Sequence, residues 1–188
     1  MFVVGFVGAS GAGKTTLMEK TLAVLVGRGW KVSAVKSTHH DTDTDKPGKD
    51  SWRYREAGAS EVILAGKKRW ALMRETPESE VTLAELLTRL APVDMVLVEG
   101  FKSEEGIPRI GVVRKAFDKA LPASSEFVAV ATDDENFVLP EGAVRLPLND
   151  AEKVADFITR AVKPVPSGGG YKAPRLLCSK LRTIAVSS

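Results

Sequence analysis

Gly8, Gly13, Lys14 and Thr15 stand in the spacing Gly-x-x-x-x-Gly-Lys-Ser/Thr, inside the run GASGAGKTT at residues 8–16. Each residue type in that pattern has a chemical use. Small residues let successive backbone N–H groups converge on an anion. A helix opening at Lys14 would aim the positive end of its dipole at the same point. The Lys14 ammonium can bridge the outer phosphates of a nucleotide, the Thr15 hydroxyl can reach Mg²⁺, and Thr16 can approach the innermost phosphate. The stretch therefore reads as a phosphate-binding P-loop comprising Gly8, Ser10, Gly11, Ala12, Gly13, Lys14, Thr15 and Thr16.

A P-loop usually needs a carboxylate at the end of a neighbouring strand to hold Mg²⁺. The segment DMVLVEG supplies Asp94 and Glu99. Five residues apart on one strand, they lie about 16 Å from each other, so only one can serve. Parallel topology puts Glu99 at the ligand end, and the metal set is expected to be Thr15 and Glu99. The loop KSTHHDTDTDKPGKDS, residues 36–51, holds two histidines, four aspartates and three lysines. Asp41, Asp43 or Asp45 can approach the metal, and Lys46 or Lys49 can meet an anionic substrate. His39 and His40 make a poor transition-metal pair, since neighbours on extended chain point opposite ways and no cysteine is close.

These residues need a scaffold that brings strand ends together. MFVVGFV reads as a buried strand. Residues 14–28 read as a helix with Leu17, Met18, Thr21, Leu22, Leu25 and Val26 on one face, stopped by Gly27 and Gly29. KVSAVK alternates like a strand, and DSWRYREAG suggests a short helix. EVILA and WALMR, joined by GKKR, form an expected antiparallel hairpin. Thr82 and Glu85 make a capping box ahead of Leu83, Leu86, Leu87 and Leu90. MVLV, RIGVV and FVAVA are further strands, and a last helix starting near Asn149 buries Val154, Phe157, Ile158 and Ala161. The fold class is α/β: a mainly parallel sheet flanked by helices on both faces, with the hairpin as an antiparallel edge. In such sheets ligands bind beyond the carboxyl ends of the strands, which gathers the separate motifs at one place.

Composition narrows the partners. The 188 residues suit one domain with a real core, and 44% are hydrophobic. The formal charge of +3 arises from residues 163–188, which hold five basic and no acidic side chains. The first 162 residues hold 22 basic against 24 acidic, which excludes a basic nucleic-acid surface. No apolar run is long enough for a membrane span. The N-terminal run lacks the basic flank and cleavage site of a signal peptide. Cys178 is the single cysteine, which excludes an internal disulfide and fits a reducing, cytoplasmic setting. Two divisions are expected: a nucleotide-binding domain over residues 1–162 and a Pro/Gly-rich basic tail over 163–188. That tail is either a loose extension or a docking arm.

Three segments together, VGFVGASGAGKTTL, VKSTHHDTDTDKPGKDSWRYREAGA and DMVLVEGFK, resemble the MobB family, molybdopterin-guanine dinucleotide biosynthesis protein B. The first is shared by many P-loop proteins; the other two are far more specific. The likeness runs over about residues 2–162. It implies a dimeric GTP-binding protein, at most a slow GTPase, that assists a MobA-type molybdopterin guanylyltransferase in attaching GMP to molybdopterin. Family phosphate-binding positions fall on Gly11, Gly13, Lys14, Thr15 and Thr16. Further family positions fall on His39, His40, Asp41, Asp45, Lys46, Pro47, Gly48, Asp50 and Glu99. The signature lysine of partition ATPases would fall at Ala9, which argues against that subclass. Guanine is usually read by [NT]-K-x-D after a late strand. Here Thr132 is followed by Asp133 in place of the lysine, so Asp133, Asp134 or Glu135 would have to supply the carboxylate. The expected nucleotide set thus adds Asp41, Lys46, Thr132 and Asp133 to the P-loop, with GTP and Mg²⁺ as ligands and no catalytic residue assigned. Two other functions share these motifs. One is a metallochaperone GTPase using His39 and His40; the other is a small-molecule kinase or ligase of the dethiobiotin-synthetase type. The absence of an obvious general base or water-orienting glutamine argues against fast chemistry.

Overall fold

The computed structural model describes residues 1–38, 45–76, 80–117, 121–123 and 126–161. The chain divides into two compact units, one built from residues 1–37 and the chain after Thr88, the other from Thr38–Thr88.

The first unit is a six-stranded sheet. Its strands are β1 (Phe2–Val7), β2 (Val32–Lys36), β5 (Met95–Glu99), β6 (Arg109–Val113), β7 (Phe127–Thr132) and β8 (Val144–Pro147). They lie in the order β2-β5-β1-β6-β7-β8, and every pairing is parallel. β1, β5, β6 and β7 are buried along their whole length. Such strands read as continuous apolar runs rather than alternating ones because both faces of the sheet are covered. Helices α1 (Lys14–Gly27) and α4 (Ala151–Ala161) pack together over one face. There Leu17, Met18 and Leu25 of α1 and Val154, Ala155, Phe157 and Ile158 of α4 share a core with Phe2, Val4, Phe6, Met95 and Leu97. Arg28 links the helix ends, donating to Asp156 at 2.7 Å and to Glu152. The alternate strand residues Val3, Val7, Val96 and Val98 are buried on the opposite face.

The second unit holds α2 (Asp50–Glu56) and the hairpin β3 (Glu61–Ala65) and β4 (Trp70–Arg74), and α3 (Leu83–Arg89) closes it. The capping box at α3 is present: the Thr82 N–H donates to Glu85 Oε2 at 3.0 Å, and the Glu85 N–H to Thr82 Oγ1 at 3.2 Å. Asp45 anchors α2, accepting from Ser51 Oγ at 2.8 Å and facing Arg55 Nε at 3.5 Å.

Three points differ from expectation. The hairpin exists in the expected register, but its strands pair only with each other, in a sheet separate from the six-stranded one. Val26 is 51% exposed rather than core, because one further helical step past the fully buried Leu25 turns it off the packed face. α4 starts near Asn149 as expected, at Ala151, with Asp150 Oδ1 accepting the Lys153 N–H at 3.0 Å. β8 carries no sequence signal strong enough to announce it. It is a four-residue edge strand with only Leu146 buried, and its paired chain includes an arginine and a proline.

Candidate functional site

The site grows from the register of the central strands. Phe6 of β1 and Lys36 of β2 both lie level with Glu99 of β5. The chain leaves β1 one residue later, at the edge where β5 presents its last carboxylate. Asp94 sits at the opposite edge. Its Oδ2 accepts the Lys31 N–H at 2.8 Å and its carbonyl accepts the Phe2 N–H at 2.9 Å, so it ties down strand starts. The length of β5 separates the two carboxylates, and parallel pairing puts Glu99 at the end where β1 gives way to the loop.

Gly8 opens the loop because no side chain fits: a Cβ there would stand 2.2 Å from the Val112 carbonyl oxygen of β6. Gly13 closes it in the left-handed region, with φ of 94°, and caps α1 without any side-chain hydrogen bond. The first turn of α1 contains no acidic residue. A fourteen-residue helix thus begins with its N–H groups and positive dipole end uncapped by a side chain, the arrangement that favours an anion.

Thr15 and Glu99 meet across the loop. The Thr15 hydroxyl lies 2.9 Å from both Glu99 oxygens and donates to the carboxylate, which is 8% exposed. Lys36 Nζ stands 3.6 Å from Glu99 Oε2. Lys14 folds back on its own loop, Nζ donating to the Ala9 carbonyl at 2.8 Å. Partial burial pushes the Lys14 ammonium below the usual lysine range; Glu99 opposes this, while Lys102 and Lys36 add to it. An anionic ligand beside Lys14 would favour its charged form. Thr15 and Glu99 supply hard oxygen donors suited to Mg²⁺, which keeps waters and phosphate oxygens in the rest of its shell. Among the described residues no group of three or more His, Cys, Asp or Glu side chains can hold a metal by itself.

On the other side of β1, Thr16, Lys20, Arg114, Leu148 and Asn149 line a small recess. The Arg114 guanidinium packs on the loop, with Nη2 3.1 Å from where a Cβ on Gly13 would be. Thr132 ends β7 and Asp133 follows it, but their side chains accept from backbone N–H groups. Thr132 Oγ1 accepts the Asp134 N–H at 3.0 Å. Asp133 Oδ1 accepts the Lys115 N–H at 2.6 Å, and its Oδ2 lies 3.8 Å from Arg114 Nη1. Asp134 is buried and accepts the Asn136 N–H at 3.2 Å.

The structure therefore brings together Gly8, Gly13, Lys14, Thr15 and Glu99. Lys46 belongs to the second unit, exposed, with its N–H on Asp45 Oδ1 at 3.0 Å. Asp45 is committed to Ser51 and Arg55, which gives it a role in holding α2 rather than a free carboxylate for a metal. His39, His40, Asp41 and Asp43 lie outside the described residues, as does the tail 163–188. Sequence reasoning passed over Lys36, Lys102, Arg114 and Asn149. Their signal was available: Lys36 ends β2, Lys102 closely follows β5, Arg114 follows β6 directly and Asn149 closely follows β8.

A family model described as MobB, molybdopterin guanine dinucleotide synthesis protein B, matches residues 3–133. The chain is 47% identical over 159 residues to a molybdopterin-guanine dinucleotide biosynthesis adapter protein of Haemophilus influenzae, covering 83% of this chain and 86% of that protein. It is 43% identical over 162 residues to the protein of the same name in Escherichia coli, covering 83% and 90%. Its fold is similar to the crystal structure of a MobB protein homolog from Bacillus stearothermophilus, with a TM-score of 0.61, 29% identity, and coverage of 84% and 94%. With the P-loop, the Thr15–Glu99 pair and the parallel sheet that joins them all inside the matched span, the chain belongs to the MobB family.

Proposed function

We propose that this protein is a GTP-binding adapter in the assembly of the molybdopterin-guanine dinucleotide cofactor. The observation that carries the reading is the Thr15–Glu99 pair at the mouth of an uncapped P-loop helix. The name borne by relatives at 43–47% identity supplies the pathway. GTP would place its outer phosphates between Lys14 and the Thr15–Glu99 pair. The chain of phosphates passing Thr16 would lead the nucleoside toward the recess at Lys20, Arg114 and Asn149. Mg²⁺, held by Thr15 and Glu99, would neutralise phosphate charge. We assign the chemistry proper to a partner, a MobA-type guanylyltransferase, with GTP turnover in this chain slow at most.

The same reading includes a homodimer. In the second unit Ile63 is 64%, Leu64 57% and Trp70 65% exposed on the two-stranded hairpin. Exposed strand edges and apolar side chains invite pairing, and a two-fold axis is the commonest way to cover them. A cytoplasmic site of action fits the pathway, and no helix among the described residues is long and apolar enough to cross a membrane. We assign the binding functions to residues 1–162 and treat 163–188 as a dispensable tail.

Titration calorimetry with GTP and ATP, with and without Mg²⁺, tests the proposal. Binding of GTP that Mg²⁺ strengthens, and that outcompetes ATP, is the expected result. Repeating the titration with a molybdopterin guanylyltransferase present should alter the GTP affinity. Equal affinity for ATP, or no binding of either, would refute the assignment.

A further inference from the structure

The chain leaving β5 is held with unusual care. Gly100 has φ of 93°, and a Cβ on it would stand 2.8 Å from the Ser37 Cβ, so the chain passes hard against the end of β2. Phe101 follows with φ of 49°; it is the one non-glycine among the described residues in the left-handed region. Such backbone persists only where its surroundings over-determine it. The surroundings here are Arg109, whose residue is 3% exposed. Its Nη1 donates to the Lys102 carbonyl at 2.8 Å and its Nη2 to the Glu104 carbonyl. Its Nε faces Glu126 Oε2 at 3.8 Å, while Glu126 Oε1 accepts the Gly106 N–H. One planar guanidinium thus binds two carbonyls of a single loop in a fixed fork. Burying that charge is costly, and cohesion alone does not require it.

What the loop presents is Lys102. Its side chain is exposed, and its charge acts on Lys14. Lys36 comes from a different strand end, level with Glu99 and 3.6 Å from its Oε2, with a side chain 59% exposed. Lys36 therefore stands against the Glu99 carboxylate, while the charge of Lys102, carried on the loop that follows β5, acts on Lys14. Lys36 lies on the β2–β5 side of β1, where Thr15 meets Glu99, and the loop carrying Lys102 runs from the end of β5 toward Arg109 of β6; the recess at Arg114 and Asn149 lies on the β6–β8 side. In a P-loop the threonine–carboxylate side is the side of the metal and the terminal phosphate. An ammonium on a flexible stem is a phosphate-binding point charge.

Building on the P-loop reading above, we propose that Lys36 and Lys102 join Lys14 in gripping the terminal phosphate, so that the protein distinguishes a nucleoside triphosphate from its diphosphate. Arg109 is the positioning residue that keeps Lys102 in place. The pair Lys36 and Lys102 contributes little to a diphosphate, whose charge ends at the P-loop itself.

The test is calorimetry on the full chain with Mg²⁺, comparing a non-hydrolysable GTP analogue with GDP. Lys36→Met and Lys102→Met should each lower triphosphate affinity about tenfold or more and change diphosphate affinity less than twofold, while Lys102→Arg keeps most of the preference. Arg109→Lys should shift the triphosphate-to-diphosphate ratio in the same direction as Lys102→Met. Because Arg109 is buried, a melting curve accompanies that variant, and the exposed lysines decide the matter if it unfolds. An unchanged ratio in the Lys36→Met/Lys102→Met double variant would overturn the proposal while leaving the P-loop site intact. A wild-type chain that binds neither nucleotide would overturn both.

Discussion

The strand β5 and the strand β3 have the same length and opposite surroundings. All five residues of β5 are buried, whereas in β3 only Val62 is. Both are apolar runs by sequence, MVLVE and EVILA. β5 lies between two parallel neighbours and under helices, and its apolar side chains stabilise the fold that aims Glu99 at the P-loop. β3 has a single partner, β4, in a two-stranded sheet. Its apolar side chains Ile63 and Leu64 face outward. Apolar content therefore serves two ends in one chain: in the first unit it makes a rigid frame for a charged site, and in the second it leaves a surface suited to contact with another protein.

The contrast is sharpest in stability. Leu97→Ala in β5 should cost about 2–5 kcal/mol, since it opens a cavity in a fully buried position. Leu64→Ala in β3 should change unfolding free energy by less than about 0.5 kcal/mol, measured by urea denaturation at concentrations below the dimerisation constant. Comparable costs would mean that the hairpin is core after all. Within the first unit, the site's charges should be separable from its frame. Lys14→Ala is expected to lose about 1.5–3 kcal/mol of triphosphate binding by calorimetry, more than tenfold in affinity, with an unchanged melting temperature. A variant that melts early, or binds normally, would show that frame and site are not distinct.

The hairpin surface is tested by Trp70→Lys. Sedimentation at micromolar concentration should show a dimer for the natural chain. The variant should weaken that dimer at least tenfold, about 1.4 kcal/mol, without a change in nucleotide affinity. A wild-type chain that stays near 20 kDa as concentration rises would remove the second unit's assigned role. A smaller effect separates the two ends of β5: Glu99→Gln should weaken the Mg²⁺ dependence of nucleotide binding severalfold, and Asp94→Asn should leave it alone. The reverse result would contradict the strand direction. Smallest of all, removing residues 164–188 should leave both melting temperature and affinity nearly unchanged; a fall of more than a few degrees would show that the tail packs on the body.

Local chemistry was legible because it depends on neighbours in the chain. The glycine spacing fixes a loop geometry, the 3.6-residue period locates the packed face of α1, and Thr82 with Glu85 announces the start of α3. Even the choice of Glu99 over Asp94 followed from strand direction, which the strand–helix alternation implies. Tertiary structure decided the rest. EVILA as a separate sheet, β8 as a sixth strand and Val26 as a surface residue depend on which elements become neighbours. The same holds for the approach of Lys36 and Thr15 to Glu99, and for the Arg109 fork that holds the loop after β5. Residues 36 and 99 share one edge only because β2 and β5 pair in that register. Such pairings are set by the burial of whole strands, and short-range propensity carries no record of them.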